Sequence, residues 1–309
     1  MAKARAIAKR RKAVNNIRKI TRTMELIATN RFRKALNRAT EAETYTRKIA
    51  ELVADLGKTS EQFTHPLLVR RDPVRRSLLL VLSSNRGLAG GYNGNVLRAA
   101  SVRLHDNQTE GTETSLEVAG KRGIGYFRFR KMVPDATYTQ FEDRPQFAEI
   151  EALADRYIKM FLQGTIDRFD VAFTQFVTTS RQIATVQTLL PITTSDIGKV
   201  APSVRQAKPT AAAELPPPPK KGEPVPYEFL PDPRSILEEI VPVSFKVRLF
   251  KCFLDAAVSE QIARMVAMGG ATKNADDLVK ALSRQYNRAR QNQITRELAD
   301  IVGAAAALK

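Results

Sequence analysis

Two glycine-rich stretches come closest, among the residues of this chain, to the spacing of a nucleotide-binding loop. The first runs from Arg86 to Asn93 and reads RGLAGGYN, and the second runs from Gly120 to Gly125 and reads GKRGIG. A phosphate loop has the pattern GxxxxGK[ST], in which backbone N–H groups and a lysine hold the phosphates, and a dinucleotide fingerprint reads GxGxxG. Neither pattern occurs in either stretch. We therefore predict that the first stretch is a tight turn that lets backbone segments pack closely.

Few other residues could perform chemistry. The chain has one cysteine and two histidines, which leaves little for a zinc site, and no Ser-His-Asp, Cys-His or paired-carboxylate arrangement is visible. We predict that Cys252 is a small apolar residue of a helix rather than a nucleophile. A single cysteine excludes an internal disulfide and fits a reducing compartment. The sequence therefore predicts no catalytic residue, no cofactor and no metal.

The chain is strongly basic, with a formal net charge of +18 and a sequence pI of about 10.2. A charge of this sign favours an acidic partner, which could be a nucleic acid, an anionic membrane or an acidic protein. The basic side chains concentrate near the N-terminus, where only Glu25 interrupts them. A solvated helix face usually mixes both signs, so the run favours a partner surface. Its members are Lys9, Arg10, Arg11, Lys12, Arg18, Lys19, Arg22, Arg31, Arg33, Lys34 and Arg38.

Both ends of the chain have the pattern of long helices. All 16 prolines lie between Pro66 and Pro242, and apolar or small residues recur on each side at steps of three and four. A long helix must bury such a stripe, so we predict that the two ends pair as an antiparallel coiled coil. A helix of roughly 60 residues would run about 90 Å. The N-terminal stripe is Val14, Ile17, Ile20, Met24, Ala28, Ala35, Ala39, Ala42, Tyr45, Ile49, Leu52 and Leu56, and the C-terminal stripe is Val258, Ile262, Met265, Met268, Thr272, Ala275, Val279, Leu282, Tyr286 and Ala289.

The middle of the chain alternates short apolar runs with helical patterns. The run Ser77–Ser83 is typical of a strand buried on both faces, and further strands are predicted at 115–119, 172–178 and 184–190. Helices are predicted near 96–104, 121–132 and 149–161, so the middle forms a small Rossmann-like α/β domain with a largely parallel sheet. The predicted fold is thus mixed α/β and α+β. Its parts are a first helix at 1–57 that ends near Gly57, the α/β domain at 58–199, a proline-rich loop at 200–226, a return segment at 227–242 with an edge strand near Tyr227–Leu230, and a last helix at 243–309.

The sequence shows no targeting or membrane-spanning segment. The start MAKARAIAKRRKAV is basic but lacks the apolar region of a secretory signal, and no run approaches 18 apolar residues. We therefore predict no direct transmembrane span.

Three stretches together resemble the gamma subunit of F-type ATP synthase. Residues 15–28, which read NNIRKITRTMELIA, resemble its N-terminal signature, and residues 83–93, which read SSNRGLAGGYN, are similar to its SDRGLCGGLN element. Residues 259–268 (SEQIARMVAM), 286–291 (YNRARQ) and 294–298 (ITREL) are similar to its C-terminal signature. In three positions the chain departs from the family pattern, at Thr23, Asn85 and Ala89, where alanine, an acid and cysteine are usual.

The resemblance implies a rotary central shaft that makes no bond and binds no nucleotide. The implied partners are the alpha and beta subunits of the catalytic ring, the epsilon subunit and the c-ring of the membrane sector. The implied location is the cytoplasmic side of the cell membrane, as a peripheral protein. By the same resemblance, Met24 and the basic residues around Arg31 face beta. Arg264, Gln291 and Thr295 match polar positions that meet the ring, and Arg290 lies beside them. The implied ring-contact residues are Met24, Arg31, Arg264, Arg290, Gln291 and Thr295.

The second hypothesis is a basic coiled-coil protein that binds nucleic acid. The net charge favours it in a general way. Against it, Phe and Tyr do not alternate with the basic run as stacking platforms would, and no helix-turn-helix or zinc-finger spacing occurs. We therefore predict no nucleic-acid partner.

Overall fold

The computed structural model of the chain describes residues 2–59, 65–141, 145–192 and 233–307. The chain divides into two compact units. The coil unit comprises Met1–Arg31, Leu88–Gly90 and Gln261–Lys309, and the α/β unit comprises Phe32–Gly87 and Gly91–Glu260. The elements in chain order are α1 (Ala2–Thr59), a 3₁₀ helix (Pro66–Leu68), β1 (Arg76–Leu82), α2 (Tyr92–Thr109), β2 (Glu113–Ala119), α3 (Lys121–Phe129), β3 (Ala136–Tyr138), α4 (Phe147–Leu162), β4 (Arg168–Thr178), β5 (Arg181–Leu190) and α5 (Pro233–Ala307).

The α/β unit is built on one five-stranded sheet with the order β3-β2-β1-β4-β5. β1 pairs in parallel with β2 and β4, and β2 pairs in parallel with β3. β5 returns antiparallel to β4 as a hairpin. This arrangement confirms the predicted largely parallel sheet.

Helices cover both faces of the sheet, which explains why the central strand is continuously apolar. Leu78, Leu80 and Leu82 of β1 lie in one core cluster with α4 and with residues 241–256 of α5. Leu79 and Val81 lie in the opposite cluster with α2 and α3. A strand buried on both faces reads as a run rather than as an alternation, and every residue of β1 after Arg76 is buried.

The sequence predicted four of the five strands and missed β3. β3 has three residues and only half-buried or exposed side chains, so it has no periodic signal. It is held by its parallel pairing to residues 117–119. The predicted edge strand at Tyr227–Leu230 and the proline-rich loop at 200–226 lie outside the described residues.

The predicted ends of both long helices require correction. α1 continues to Thr59, so Gly57 lies inside the helix, where a glycine costs only about 1 kcal/mol relative to alanine. α5 begins at Pro233 and continues through Pro242, where we predicted a separate segment. Pro242 has no N–H to donate, which costs about 3 kcal/mol in a helix interior. The fully buried neighbours Val241 and Phe245 offset this cost because a kink or break there would expose them.

In the coil unit, α1 and α5 run antiparallel, as predicted. Residue numbers rise along α1 while those of their partners fall along α5, and the two helices make direct polar contacts. These are the cation–π contact of Arg11 with Tyr286 (5.1 Å to the ring centroid), the ion pair of Arg18 with Asp276 (2.9 Å) and the hydrogen bond from the Thr272 hydroxyl to that of Thr21 (2.9 Å).

The predicted seam is correct for α5 and wrong for part of α1. Met268, Ala275 and Leu282 are buried as predicted, whereas Ile17 and Ile20 are exposed and Met24 is 37% exposed. The side chains of α1 that contact α5, together with the half-buried Val14 and the buried Ala28, repeat every 3.5 residues, the period of a left-handed coiled coil. They are Arg11, Val14, Arg18, Thr21, Glu25 and Ala28. This seam is more polar than the apolar stripe predicted for α1, because it faces Thr272, Asp276 and Gly269 of α5.

The 3₁₀ helix of the α/β unit begins at a histidine that is expected to make stability depend on pH. Nδ1 of the buried His65 accepts the backbone N–H of Leu67 at 3.1 Å. Burial lowers the pKa of His65 below its usual 6.5, although the charge of Glu238 opposes this shift. The folded chain therefore favours the neutral ring of His65. The contribution of His65 to the free energy of unfolding is full above pH 6.5 and is lost as the pH falls through the lowered pKa.

We expect the free energy of unfolding of the unsubstituted chain to fall between pH 7.5 and pH 5.5, and to fall less in His65→Asn. Asparagine keeps a side-chain acceptor for the Leu67 N–H but has no proton to gain. The measurement is the urea midpoint at both pH values. His105→Asn is the control, because His105 is exposed. An equal drop in His65→Asn and in the unsubstituted chain would contradict this prediction.

Candidate partner-binding surface of the coil unit

The glycine-rich turn after β1 has a structural role in both units. The first three backbone N–H groups of α3 are bound by this turn, so they are not open to a phosphate. Lys121 N–H binds Oδ1 of Asn85 (3.1 Å), Arg122 N–H binds the Ser84 carbonyl (3.1 Å) and Gly123 N–H binds the Ser83 hydroxyl (2.9 Å). In the coil unit, Gly90 has φ +54° and lies against Ala267 of α5, where an added Cβ would be at 3.5 Å. The predicted close-packed turn is confirmed.

The asparagine that replaces the family's usual acid uses both ends of its side-chain amide. Oδ1 of Asn85 accepts from Lys121, as above, while Nδ2 donates to the carbonyls of Thr139 at 3.0 Å and Phe141 at 3.3 Å. An aspartate could only accept, so it would lose both donated bonds. The amide therefore ties the turn to the segment after β3.

The place where open parallel sheets commonly hold ligands is largely filled. The strand order reverses between β1 and β4, and ligands of such sheets bind beside the carboxyl ends of the strands at that point. Here Phe253, Ala256 and Ala257 of α5 lie beside Leu82 and Ser83, and only a small pocket remains. The hydroxyl of Ser259 donates to the Thr174 carbonyl of β4 at 3.1 Å, which holds α5 against the sheet.

Two side chains of the α/β unit that could be reactive, Cys252 and Glu117, are buried. Burial raises the pKa of Cys252 to about 12, so its thiol stays protonated, in agreement with its predicted role as a small apolar residue. The buried Glu117 accepts hydrogen bonds from Arg156 and from the hydroxyls of Tyr138 and Tyr157. Burial, reinforced by Glu117, raises the pKa of Tyr157 well above its usual range. Among the described residues, no group of three or more His, Cys, Asp or Glu could hold a metal ion.

The predicted ring-contact residues all lie in the coil unit, and the structure separates them into two groups. Arg31 and Arg264 are half-buried, and both engage in interactions of their own. Glu25 of α1 lies beside Gly269 of α5. Because the two helices are antiparallel, Arg31, six residues after Glu25, and Arg264, five residues before Gly269, lie at about the same height along the coil. Met24 lies near that level. The other three residues, Arg290, Gln291 and Thr295, are exposed on α5.

The two groups are far apart along the helix. Gln291 follows Arg264 by 27 residues, or about 40 Å at 1.5 Å per residue. The Thr295 hydroxyl donates to the carbonyl of Gln291 at 3.0 Å, so it is bound to its own helix. A partner that meets both groups must therefore contact the coil at two levels.

Sequence reasoning missed the exposed apolar residues of the coil unit. Single exposed apolar residues are common, but contiguous ones mark an interaction surface. The signal was present in the sequence, because the apolar stripe of α1 has more members than one seam can bury. The exposed members are Ile17, Ile20, Met24, Leu26 and Ile27 on α1, and Val266, Leu278, Ile294, Leu298, Ile301 and Val302 on α5.

No helix in the described part of the chain is both long enough and apolar enough to cross a membrane. The described residues define a protein of mixed α/β class, with a two-helix coiled coil and an α/β unit. A family model described as ATP synthase matches residues 3–308. The ATP synthase gamma chain of Rhodopirellula baltica is 47% identical over 309 residues and that of Leptospira biflexa is 35% identical over 308, each match covering 100% of both chains. The chain belongs to the ATP synthase gamma-chain family.

A solved structure has the same fold. A chain of the Euglena gracilis mitochondrial ATP synthase, from a cryo-EM structure of OSCP, F1 and the c-ring in rotational state 3, matches with a TM-score of 0.61. The match covers 99% of this chain and 95% of that chain at 14% identity. At this identity the likeness shows the fold alone, and it confirms the predicted combination of long helices with a mostly parallel sheet.

Proposed function

We propose that this chain is the central rotary shaft of an F-type ATP synthase, which couples ion flow through the membrane sector to ATP synthesis or hydrolysis in the alpha–beta ring. The observation that carries the proposal is the uncovered apolar surface on both helices of the coil unit. A two-helix coil that leaves so many large apolar side chains exposed is built to lie inside another structure. The full-length match to gamma chains supports this function, and nothing in the comparisons supports a nucleic-acid-binding protein.

The seam of the coil suits a shaft. Polar residues in a coiled-coil seam specify register at some cost in stability. Here Arg18 pairs with Asp276 and Thr21 with Thr272, so sliding one helix past the other would break both contacts. The Arg18–Asp276 pair is about two-fifths exposed on each side, so its role is to select the register rather than to add much stability. Two helices locked in register transmit rotation as one body.

The outer surface of the coil suits a partner that must release it. The exposed basic residues of α1 would attract acidic loops of the ring, and exposed ion pairs are each worth only about 0–1 kcal/mol. Such contacts favour particular rotary angles without holding any of them tightly, which is what a torque path requires. The ring partners would be the alpha and beta subunits.

The proposed shaft would have further partners outside the alpha–beta ring. The chain would also contact the epsilon subunit and the c-ring, and it would lie at the cytoplasmic side of the cell membrane as a peripheral protein. It would not be catalytic by itself, which the bound state of Glu117 and the burial of Cys252 support. Purified chain that hydrolyses ATP without the ring would overturn this part of the proposal.

We expect Arg264→Ala and Gln291→Ala each to slow ATP hydrolysis and ion pumping by the reconstituted complex about tenfold or more. A hydrogen bond to a charged group is worth roughly 1.5–3 kcal/mol, and 1.4 kcal/mol corresponds to a factor of ten in rate. Nucleotide affinity of an isolated beta subunit should not change. The measurement is steady-state turnover and pumping of complexes that carry each substitution.

Two residues of α5 give matched controls for these substitutions. Gln285→Ala and Arg284→Ala change the same residue types at exposed positions that we do not place in the contact. Both controls should keep normal rates. Normal turnover and pumping in Arg264→Ala and Gln291→Ala would remove these residues from the torque path.

A further inference from the structure

The turn that ends α3 displays apolar and basic side chains together. All six residues from 128 to 133, which we call the basic–apolar turn, are exposed. Phe129 is 87% exposed and Val133 is 86% exposed, more than any other large apolar residue in the described part of the chain. The sequence of the turn is Arg128, Phe129, Arg130, Lys131, Met132 and Val133.

Hydrogen bonds hold the backbone of the basic–apolar turn at the end of α3. The Met132 N–H binds the Phe127 carbonyl at 2.9 Å, and the Lys131 N–H binds the Arg128 carbonyl at 3.0 Å, which is the Schellman arrangement at a helix C-terminus. The Asp135 N–H then binds the Leu116 carbonyl at 2.8 Å. The exposed side chains therefore project from a defined platform.

Lys131 occupies a backbone position that favours glycine. Its φ is +60°, in the left-handed region that disfavours residues with a Cβ, and glycine is the usual residue at this position of the motif. The chain carries a lysine there in spite of the strain. A strained position that keeps a charged side chain suggests a use for the charge.

The charged side chains of α3 and of the turn itself are all basic. The stretch from Lys121 to Pro134, with both ends included, has five basic residues and no acidic residue. The next acid, Asp135, accepts the N–H of Leu116 at 2.8 Å, so its carboxylate is turned to β2. The guanidinium of Arg130 lies 5.1 Å from the ring centroid of Tyr126, so the aromatic ring supports one of the cations. An occupant of this surface must be anionic and must also accept two apolar side chains.

We propose that the basic–apolar turn docks on the surface of an anionic lipid bilayer. Phe129 and Val133 enter the headgroup region, and Arg128, Arg130 and Lys131 contact lipid phosphates. A bilayer accepts apolar tips and cations at any lateral position and needs no shaped pocket, which fits a turn that projects its side chains outward. An acidic protein partner would have to bring its own apolar cavity. The proposal stands on α3 and its turn and does not depend on the shaft function.

The absence of tryptophan from the chain permits a direct test. Phe129→Trp places a single reporter in the turn, at a position exposed enough to accept it. In the full-length chain, its emission should shift to the blue with vesicles of phosphatidylcholine and phosphatidylglycerol and should be quenched by brominated phosphatidylcholine in such vesicles. Vesicles of phosphatidylcholine alone should give neither effect. Val102→Trp, half-exposed on α2, is the control and should show no shift.

Lys131→Gly in the Phe129→Trp background tests the role of the charge. This change removes a cation and also relieves the backbone strain, so the variant will fold. The vesicle concentration at half-maximal shift should rise about fivefold, the effect of one cation near an anionic surface. Four outcomes would overturn the proposal: no shift in the Phe129→Trp variant, an equal shift in the Val102→Trp variant, an unchanged midpoint after Lys131→Gly, or a shift with poly-glutamate and none with vesicles. The last outcome would instead assign the turn to an acidic protein.

Discussion

Replacing Gly120 with alanine is expected to destabilise the α/β unit by about 3 kcal/mol or more, the combined cost of a strained backbone and a clash with the backbone that follows β1. Gly120 joins β2 to α3 with φ +98° and ψ 134°, which a residue with a Cβ rarely adopts. An added Cβ would lie 2.5 Å from the carbonyl carbon of Ser83, and backbone cannot rotate away as a side chain can. The measurement is urea unfolding followed by tyrosine fluorescence, since Tyr92, Tyr126, Tyr138 and Tyr157 all lie in the α/β unit.

Gly125→Ala is the matched control for Gly120→Ala. Gly125 lies inside α3, its φ is not positive, and an added Cβ meets nothing within 4 Å. Alanine should therefore stabilise the helix by up to about 1 kcal/mol. If Gly120→Ala unfolded at the same urea concentration as the unsubstituted chain, the close approach of Gly120 to Ser83 would be incorrect.

Asp170→Ala should cost about 3–5 kcal/mol of unfolding free energy, because it leaves two largely buried arginines without their shared carboxylate. Asp170 is fully buried on β4 and forms ion pairs with Arg103 at 2.9 Å and Arg168 at 3.2 Å. It also accepts a hydrogen bond from the hydroxyl of Thr188 at 2.6 Å. The same denaturation experiment measures the effect.

Glu110→Ala is the control for Asp170→Ala, because it removes an exposed carboxylate that also pairs with Arg168. Glu110 lies 3.7 Å from Arg168, and 56% of its side chain is exposed. An exposed pair of this kind is worth about 0–1 kcal/mol, so the variant should unfold close to the unsubstituted chain. Equal losses in Asp170→Ala and Glu110→Ala would mean that burial does not determine the strength of these ion pairs.

Local patterns in the sequence determined much of the fold. The apolar run of β1 predicted a strand covered on both faces, and the proline-free ends predicted two long helices that pair in antiparallel. The lack of a lysine after Gly91 predicted a packed turn rather than a phosphate site. The apolar run, the helical pattern of each end and the missing lysine each depend on residues close together in the chain, so they can be recognised in a single sequence. The ring-contact roles of Met24, Arg31, Arg264, Arg290, Gln291 and Thr295 stay predictions.

Only the tertiary structure decided which side of α1 is covered. Ile17, Ile20 and Met24 form the better apolar stripe, yet the seam passes through Arg18, Thr21 and Glu25, one position further on. The choice depends on Thr272, Asp276 and Gly269, about 250 residues away in the sequence, which offer a polar and closely packed surface to those side chains. Hydrophobic periodicity describes one helix at a time, whereas the stability of a seam depends on the side chains of both helices. For the same reason, only the pairing of the two helices decided which members of the apolar stripe are buried and which stay exposed as the candidate partner surface.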